Sequence, residues 1–490
     1  MRYKRISFLA VVLALVVSVA AMVVTSDNKE ARYHQHLEAQ DKPVCTCGKN
    51  NCTHLPLISI DTGGEEIPGT AVLNKGGDIV GRLQSDDGES TVASTVKTFD
   101  NASKYNHTTD TPTLESTARV RVRGNSSRAF DKVGYYVKLV NSDGTGNEQS
   151  MLGMDAHSEW ALHGPYMDKT LIRNYMWYNI GGEIMDYAPN VRFCELVLNG
   201  EYMGVYLLVE TITAGTNCRL NLEVDKKDNS FTGYCLRVDR GSDNPLKNVD
   251  VFSSYAYKRF SATDVIFPGA KSLSPEMNKK IGQEFSDFEK ALYSYDYDDK
   301  KYGYAKYIDV QSFVDYYIIN EFTTNYDAGR FSTYVYKDVD GKYRLCIWDF
   351  NSACDNYETS VVDPHHFEIQ YSVWFNMLIK DPAFTEAVIQ RYKTLRKGVL
   401  SEAYLDNYID ETVAYLGPAI DRNNKKWGYS YAQKYDLLEP TERNPRSYDE
   451  AVGDLKYFIN RRGDFMDENI ETLRQYSAES ATKKYEENAN

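Results

Sequence analysis

The chain of 490 residues carries 56 lysines and arginines against 70 aspartates and glutamates, a net charge of −14. That balance excludes a general nucleic-acid binder, which needs basic surface to neutralise phosphates, and favours a cationic protein partner. A composition that is 42% hydrophobic and 26% charged fits a soluble globular chain large enough for one two-lobed domain or two ordinary ones.

Arg2, Lys4 and Arg5 precede an uncharged, mostly apolar run over residues 7–24, which approaches the span of a bilayer. The positive flank predicts a single-pass anchor with the N-terminus inside and the bulk extracytoplasmic. Ser18-Val19-Ala20 resembles a signal-peptidase site, so residues 1–24 read as a signal anchor or as a cleaved signal that releases a secreted protein. Residues 25–56 are polar and aperiodic and read as a stalk. Within it, Cys45, Cys47, Cys52 and His54 offer three thiols and an imidazole, enough to wrap one zinc ion. A disulfide plus one thiol fits the same spacing.

From residue 57 to about 140 short strands alternate with Gly, Asp, Ser and Thr. Residues 118–122 read as a strand whose one face is Arg119, Arg121 and, just beyond, Arg123. That strand runs into Gly124-Asn125-Ser126-Ser127-Arg128, with Lys132 and Lys138 following. Small residues flanked by cations suit a phosphate. Residues 168–185 read as a helix, and Asn199-Gly200 between alternating apolar runs predicts a hairpin.

Residues 214–275 are mixed and loop-rich. Met277, Ile281, Phe285, Phe288 and Leu292 step at helical spacing, and a second helix is predicted over 310–323. A hairpin turning at Asp340-Gly341 follows. With those two residues as the whole turn, Ser332 faces Asp349, and Asp327, Ser332 and Asp349 converge at the open end of the hairpin. Oxygen ligands of that kind hold Mg²⁺ or Mn²⁺, or one carboxylate orients an attacking hydroxyl. Residues 372–475 are helical with breaks near Gly417 and 440–445, and 476–490 form a polar tail. Strands first and helices last give an α+β class, with a β-rich N-terminal lobe over 57–213 and a mainly helical C-terminal lobe over 214–475.

The order Asp327, Ser332, Asp349-Phe350-Asn351 parallels the layout of a protein-kinase catalytic segment. The stretches Arg123-Gly-Asn-Ser-Ser127, Asp168-Lys-Thr-Leu-Ile-Arg173-Asn174, the strand pair from Glu195 through Gly204, Asn325-Tyr-Asp327 and Ile347-Trp-Asp349-Phe together resemble the spore-coat-protein-H (CotH) kinase-like family over roughly 57–475. The resemblance implies an atypical protein-kinase-like two-lobed domain and ATP-dependent phosphorylation of Ser or Thr on secreted, envelope or spore-coat proteins. It implies Asp327 as the catalytic aspartate and Asp349 as the metal ligand. Lys138 and Lys132 would contact phosphates, beside Arg123, Ser126, Ser127 and Ser332. Asn351 stands where the family often has a second Asp, and Asp355-Asn356 where it has Gly-Asn; the change removes charge from the metal site and leaves a non-catalytic surface-binding or coat-assembly module as the alternative.

Overall fold

The computed structural model describes residues 32–38, 42–48, 51–76, 79–84, 90–213, 220, 222, 225, 227, 231–240, 245–246, 262–359 and 361–477. Met1–Tyr33 and His34–Asn490 are separate units, and the apolar run at 7–24 lies outside the described residues. Among the described residues no helix is long and apolar enough to cross a membrane.

Sheets and helices are both present, but the expected order of strands then helices holds only at the two ends: one helix precedes the strand Val191–Leu198 and two more precede the strand Thr333–Lys337, before the C-terminal run of helices. Among the described residues, seven strands close a barrel: β1 (Leu57–Asp61), β4 (Val92–Phe99), β5 (Leu114–Arg123), β6 (Gly134–Leu139), β7 (Glu159–His163), β9 (Glu201–Glu210) and β8 (Val191–Leu198), neighbours in that order. A parallel β1/β8 pair completes the ring, and closure leaves no exposed strand edge. The interior is filled by every second residue, as in Val96, Val120, Val137, Trp160, Leu196 and Leu208. The Asn199-Gly200 turn forms as expected, with φ of +49° and +82° and Leu198 opposite Glu201. Gly204 marks an irregularity in the same pair, at φ +98°, where a Cβ would come within 2.6 Å of Asn423 Oδ1 and 2.9 Å of Trp427 Nε1. Only glycine lets the barrel wall meet the helix carrying those two residues.

A small ribbon, β2 (Ala71–Leu73) with β3 (Ile79–Arg82), lies beside the turn after β5. A second sheet runs β11 (Ala262–Phe267), β10 (Tyr234–Asp239), β12 (Thr333–Lys337), β13 (Arg344–Cys346). Its first two strands come from the stretch read as loop-rich. Helices α1 (Arg173–Ile184), α2 (Pro275–Leu292) and α3 (Val310–Phe322) pack with it in one large core. The C-terminal helices are α4 (Phe375–Leu378), α5 (Pro382–Leu395), α6 (Glu402–Leu416), α7 (Pro418–Trp427) and α8 (Tyr448–Asn469).

Local chemistry explains the helix starts. Ser274, Asp309, Asp381, Ser401 and Ser447 each accept a backbone N–H from the first turn of α2, α3, α5, α6 and α8. Proline occupies the first position of α2, α5 and α7, where no donor is lost. Gly417, at φ +40°, separates α6 from α7. Part of the segment read as a stalk is packed into the protein. His34, Gln35 and His36 are buried, with His34 bonded to Glu183 and Tyr408 and Gln35 to the Phe193 backbone.

Candidate functional site

A cavity of about 780 Å³ opens between the outside of the barrel and the β10–β12–β13 sheet. Its barrel wall is cationic. Along β5 the even-numbered residues fill the interior, so Arg119, Arg121 and Arg123 project outward. Arg121, Arg123 and Arg128 line the cavity, joined by Arg82 from the ribbon and by Ser126 and Ser127 from the turn. Gly124 makes the turn possible: it sits at φ +116°, and a Cβ there would meet Ser127 Oγ at 2.1 Å. Arg128 is buried and donates to the Gly124 and Gly69 carbonyls. Burial, followed by Arg82, Arg121 and Arg123, pulls the Arg128 guanidinium down to about 10. So much like charge against one wall calls for an anion. His163, at the end of β7, is held neutral beside it, pushed down to about 3 by burial and then by Arg123.

The opposite wall is mixed: Asp239, Asp327, Asp349 and Glu358 stand there with Arg237 and Arg240. Helix α3 stops at Thr324, whose φ is +47°. Asn325 holds the following turn by donating to Asn320 Oδ1 at 3.1 Å and to the Asp349 carbonyl at 3.3 Å. Asp327 comes next, half-buried in the cavity wall. Burial raises it to about 6; Arg240 pulls it down, while Asp349 and Asp239 push it further up. Its Oδ1 is buried and receives no hydrogen bond, with Arg240 Nη2 standing 3.7 Å away. Asp349 follows β13 at φ +59°. Its carboxyl is raised by burial against the opposing pull of Arg123 and of two Asn351 hydrogen bonds. Asn174 clamps this segment, accepting from Phe350 N at 2.7 Å and donating to Asn351 Oδ1 at 3.1 Å. Asp239, at the end of β10, completes a group of three carboxylates.

These oxygens fit a hard divalent cation, and the orphaned buried Asp327 Oδ1 fits a cation or a donor hydroxyl. Asn351 acts differently from the expectation of a metal ligand. Its amide nitrogen donates to Asp349 Oδ1 at 2.8 Å and its oxygen is taken by Asn174, so it buttresses Asp349.

Asp327, Ser332, Asp349, Asn351, Arg123, Ser126 and Ser127 all line the one cavity. The hairpin register that predicted this is off by one. Tyr334 pairs with Cys346 and Tyr336 with Arg344, and the turn spans Asp338 to Gly341, closed by Gly341 N donating to Asp338 O at 3.0 Å. A one-residue slip ordinarily turns a side chain to the other face. Here Ser332 (φ +47°) and Asp349 lie beyond the ladder in left-handed backbone, which breaks the alternation and returns both to the cavity. Strain of this kind, roughly 1–3 kcal/mol per residue, is typical where function dictates geometry.

The two lysines are not among the cavity's lining residues. Lys138 pairs with Arg119 in the β5/β6 register and its Nζ lies 3.2 Å from Glu159. It stands four residues from Arg123's partner Gly134, about 13 Å along the strand. Lys132 is fully buried, bonded at 2.9 Å to Asn423 Oδ1 and 5.2 Å from the centre of the Tyr206 ring. Burial holds its ammonium well below the ordinary lysine value. His54 does not join the cysteines: its Nε2 donates to the Tyr415 carbonyl at 2.8 Å, and His107 takes that place beside Cys45, Cys47 and Cys52.

Sequence reading missed Arg237, Asp239 and Arg240. The alternation in Leu236-Arg237-Val238-Asp239 was the available signal. Nothing local marks His163, which matters only because β7 ends at the cavity. Asn174, though part of the stretch that carries the resemblance, takes no role from it; it lines the cavity from the start of α1.

A family model for the CotH kinase protein matches residues 120–466, a span that holds most of the cavity's lining but not Arg82 and its neighbours on the ribbon. No curated protein matches the chain significantly. With well over half of its length covered by that model, the chain belongs to the CotH kinase family.

Proposed function

We propose that the cavity binds ATP with Mg²⁺ or Mn²⁺, and that the protein transfers the terminal phosphoryl group to a serine or threonine hydroxyl of another protein. One observation carries the reading: a wall of guanidiniums from β5, its turn and the ribbon faces Asp239, Asp327, Asp349 and Glu358 across a cavity of about 780 Å³. Polyphosphate needs cations, and a reacting hydroxyl needs a carboxylate that can take its proton.

In this scheme Arg121, Arg123 and Arg82 hold phosphate oxygens, and Ser126, Ser127 and Ser332 hydrogen-bond the nucleotide. Asp349, aligned by Asn351 and the Tyr178 hydroxyl that accepts from its N–H at 3.0 Å, holds the cation together with Asp239. A divalent cation held there would supply positive charge to the phosphate oxygens, and the bond from the terminal phosphorus to the ADP oxygen breaks. Asp327 Oδ1 accepts the proton of the attacking hydroxyl, the new O–P bond forms, and ADP leaves. The two halves, barrel and helical part, act as the lobes of a kinase-like domain.

The acceptors are secreted, envelope or spore-coat proteins, cationic and Ser-rich to suit a chain of net charge −14. The chain works outside the cytoplasm, anchored through residues 7–24 or released by cleavage. A surface-binding or coat-assembly module without turnover is the second reading, favoured by the engagement of both Asn351 amide atoms within the protein. Thermal unfolding with ATP, with and without Mg²⁺, tests binding, and labelled ATP with envelope proteins tests transfer. Stabilisation with transfer is expected. Stabilisation without transfer selects the second reading, and no stabilisation by any nucleotide overturns both the ATP site and the kinase.

A further inference from the structure

Cys45, Cys47, Cys52 and His107 each bring one ligand atom into a cluster whose members all lie within 4.8 Å of one another. The three cysteines are present as thiols rather than as a disulfide. His107 Nε2 lies 3.2 Å from Cys47 Sγ and 3.6 Å from Cys45 Sγ. Bonds of about 2.3 Å to sulfur and 2.0 Å to nitrogen give tetrahedron edges of roughly 3.5–3.8 Å, so the cluster needs to contract by no more than about 1 Å to close on an ion.

Backbone pairing explains why the fourth ligand is a residue so far along the chain. Thr53 and Asn106 form an antiparallel bridge, with Thr53 N donating to Asn106 O at 3.1 Å and Asn106 N to Thr53 O at 2.7 Å. That register sets Cys52 across from His107 and His54 across from Tyr105, whose ring centre is 6.0 Å from that of His54. The bridge is braced by Asn106 Nδ2 donating to the Leu55 carbonyl at 2.8 Å.

The imidazole is also oriented from behind. Asp110 Oδ2 lies 3.2 Å from His107 Nδ1 and accepts the His107 backbone N–H at 3.1 Å. A carboxylate on Nδ1 fixes the tautomer in which Nδ1 is protonated and Nε2 presents its lone pair to the sulfurs. Metal-ligating histidines are commonly held this way.

We propose that Cys45, Cys47, Cys52 and His107 form a closed, structural Cys₃His zinc site. It staples the segment before β1 to the connection between β4 and β5, at a place that does not border the nucleotide cavity. Four protein ligands leave no open position for substrate, which marks a structural rather than a catalytic ion. Each cysteine loses its proton on binding, so zinc uptake releases protons and weakens as pH falls.

Zinc content of the purified full-length chain, kept reduced and dialysed against a weak chelator, tests the site directly. About one zinc per chain is expected. Cobalt(II) in its place should give thiolate charge-transfer absorption in the near ultraviolet and tetrahedral ligand-field bands in the visible. Cys52→Ser and His107→Ala should lose zinc affinity at least tenfold, and Asp110→Asn should weaken it by about 10–100-fold. His54→Asn should retain the metal. The proposal is overturned if the parent chain takes up neither zinc nor cobalt, if peptide mapping finds a disulfide among the three cysteines, or if His54→Asn loses the metal while His107→Ala keeps it. The cobalt spectrum of the parent needs no variant to fold.

Discussion

Asp327 and Asp349 share a cavity wall but not an environment, and their substitutions should therefore differ. Asp349 is aligned by Asn351 and Tyr178 in the manner of a fixed ligand, whereas Asp327 keeps an oxygen without a hydrogen bond. Asp349→Ala should weaken Mg²⁺-dependent nucleotide binding and abolish turnover. Asp327→Ala should leave nucleotide binding within a few-fold and reduce transfer by 10²-fold or more. Titrations with and without Mg²⁺ separate the two, and Lys138→Ala, paired with Glu159 away from the cavity, should change neither. The pH dependence has a definite sign. Burial holds Asp327 at about 6, above the unfolded value of about 4, so the folded chain binds this proton more tightly. Its contribution to stability is full below about pH 4 and lost as pH rises through about 6. Asp327→Asn should thus be more stable than the parent at pH 7.5 without divalent cation, by about 1–3 kcal/mol, and no more stable at pH 4. Denaturant titration at the two pH values decides it, and kcat/KM of the parent should climb through about pH 6.

At the scale of elements, the carboxylates are held by helix ends rather than by the sheet alone. Asp168 accepts from the Arg173 backbone N at 2.9 Å and pairs with its guanidinium at 2.7 Å, at the start of α1. Arg173 also donates to the Ala353 and Cys354 carbonyls, so α1 supports the Asp349 loop at two points, through Arg173 and Asn174. Helix α3, which delivers Asp327, is tied to α8 by the fully buried pair of Glu321 and Arg462. Arg462 satisfies its remaining donors on the Glu321, Pro364 and His366 carbonyls, and Glu321 accepts from Glu368 N and Ile369 N. Removing one partner leaves an uncompensated buried charge. Arg462→Met or Glu321→Leu should each cost about 3–5 kcal/mol, while the two together should cost clearly less than the sum. Equilibrium denaturation of the three variants measures this. Equal and additive losses would mean that the pair is not coupled.

At the scale of the whole molecule, the cavity joins two independently hydrogen-bonded sheets. The barrel, its turn and the ribbon supply Arg121, Arg123, Arg128 and Arg82, while the side of the β11–β10–β12–β13 sheet supplies Asp239, Asp327 and Asp349 together with Arg237 and Arg240. One link between the walls is Arg123, whose guanidinium lies 5.4 Å from the centre of the Trp348 ring. A ligand that neutralises both walls should therefore stabilise them together. At a hundredfold excess over Kd, Mg-ATP should add about 2.7 kcal/mol to the folded state. Nucleotide without the cation should add less, because the cavity's carboxylates then face the phosphates with no divalent cation between them.

The amino-acid sequence by itself determined the elements whose causes are local. The Asn199-Gly200 hairpin, the alternating Arg119, Arg121 and Arg123 face, the stepped apolar residues of α2 and the break at Gly417 all follow from neighbours within a few residues. It also marked Asp327, Ser332 and Asp349 as neighbours at the open end of one hairpin, but that register is off by one, and left-handed backbone at Ser332 and Asp349 is what returns them to the cavity. Tertiary structure decided everything that depends on which distant strands meet. The β5/β6 register carries Lys138 away from Arg123, and packing of α7 buried Lys132 against Asn423. The added β10 brought Asp239 beside Asp327 and Asp349, and the Thr53–Asn106 bridge chose His107 over His54. Each of these is a contact between residues far apart in the chain, and no local periodicity records which strands will pair.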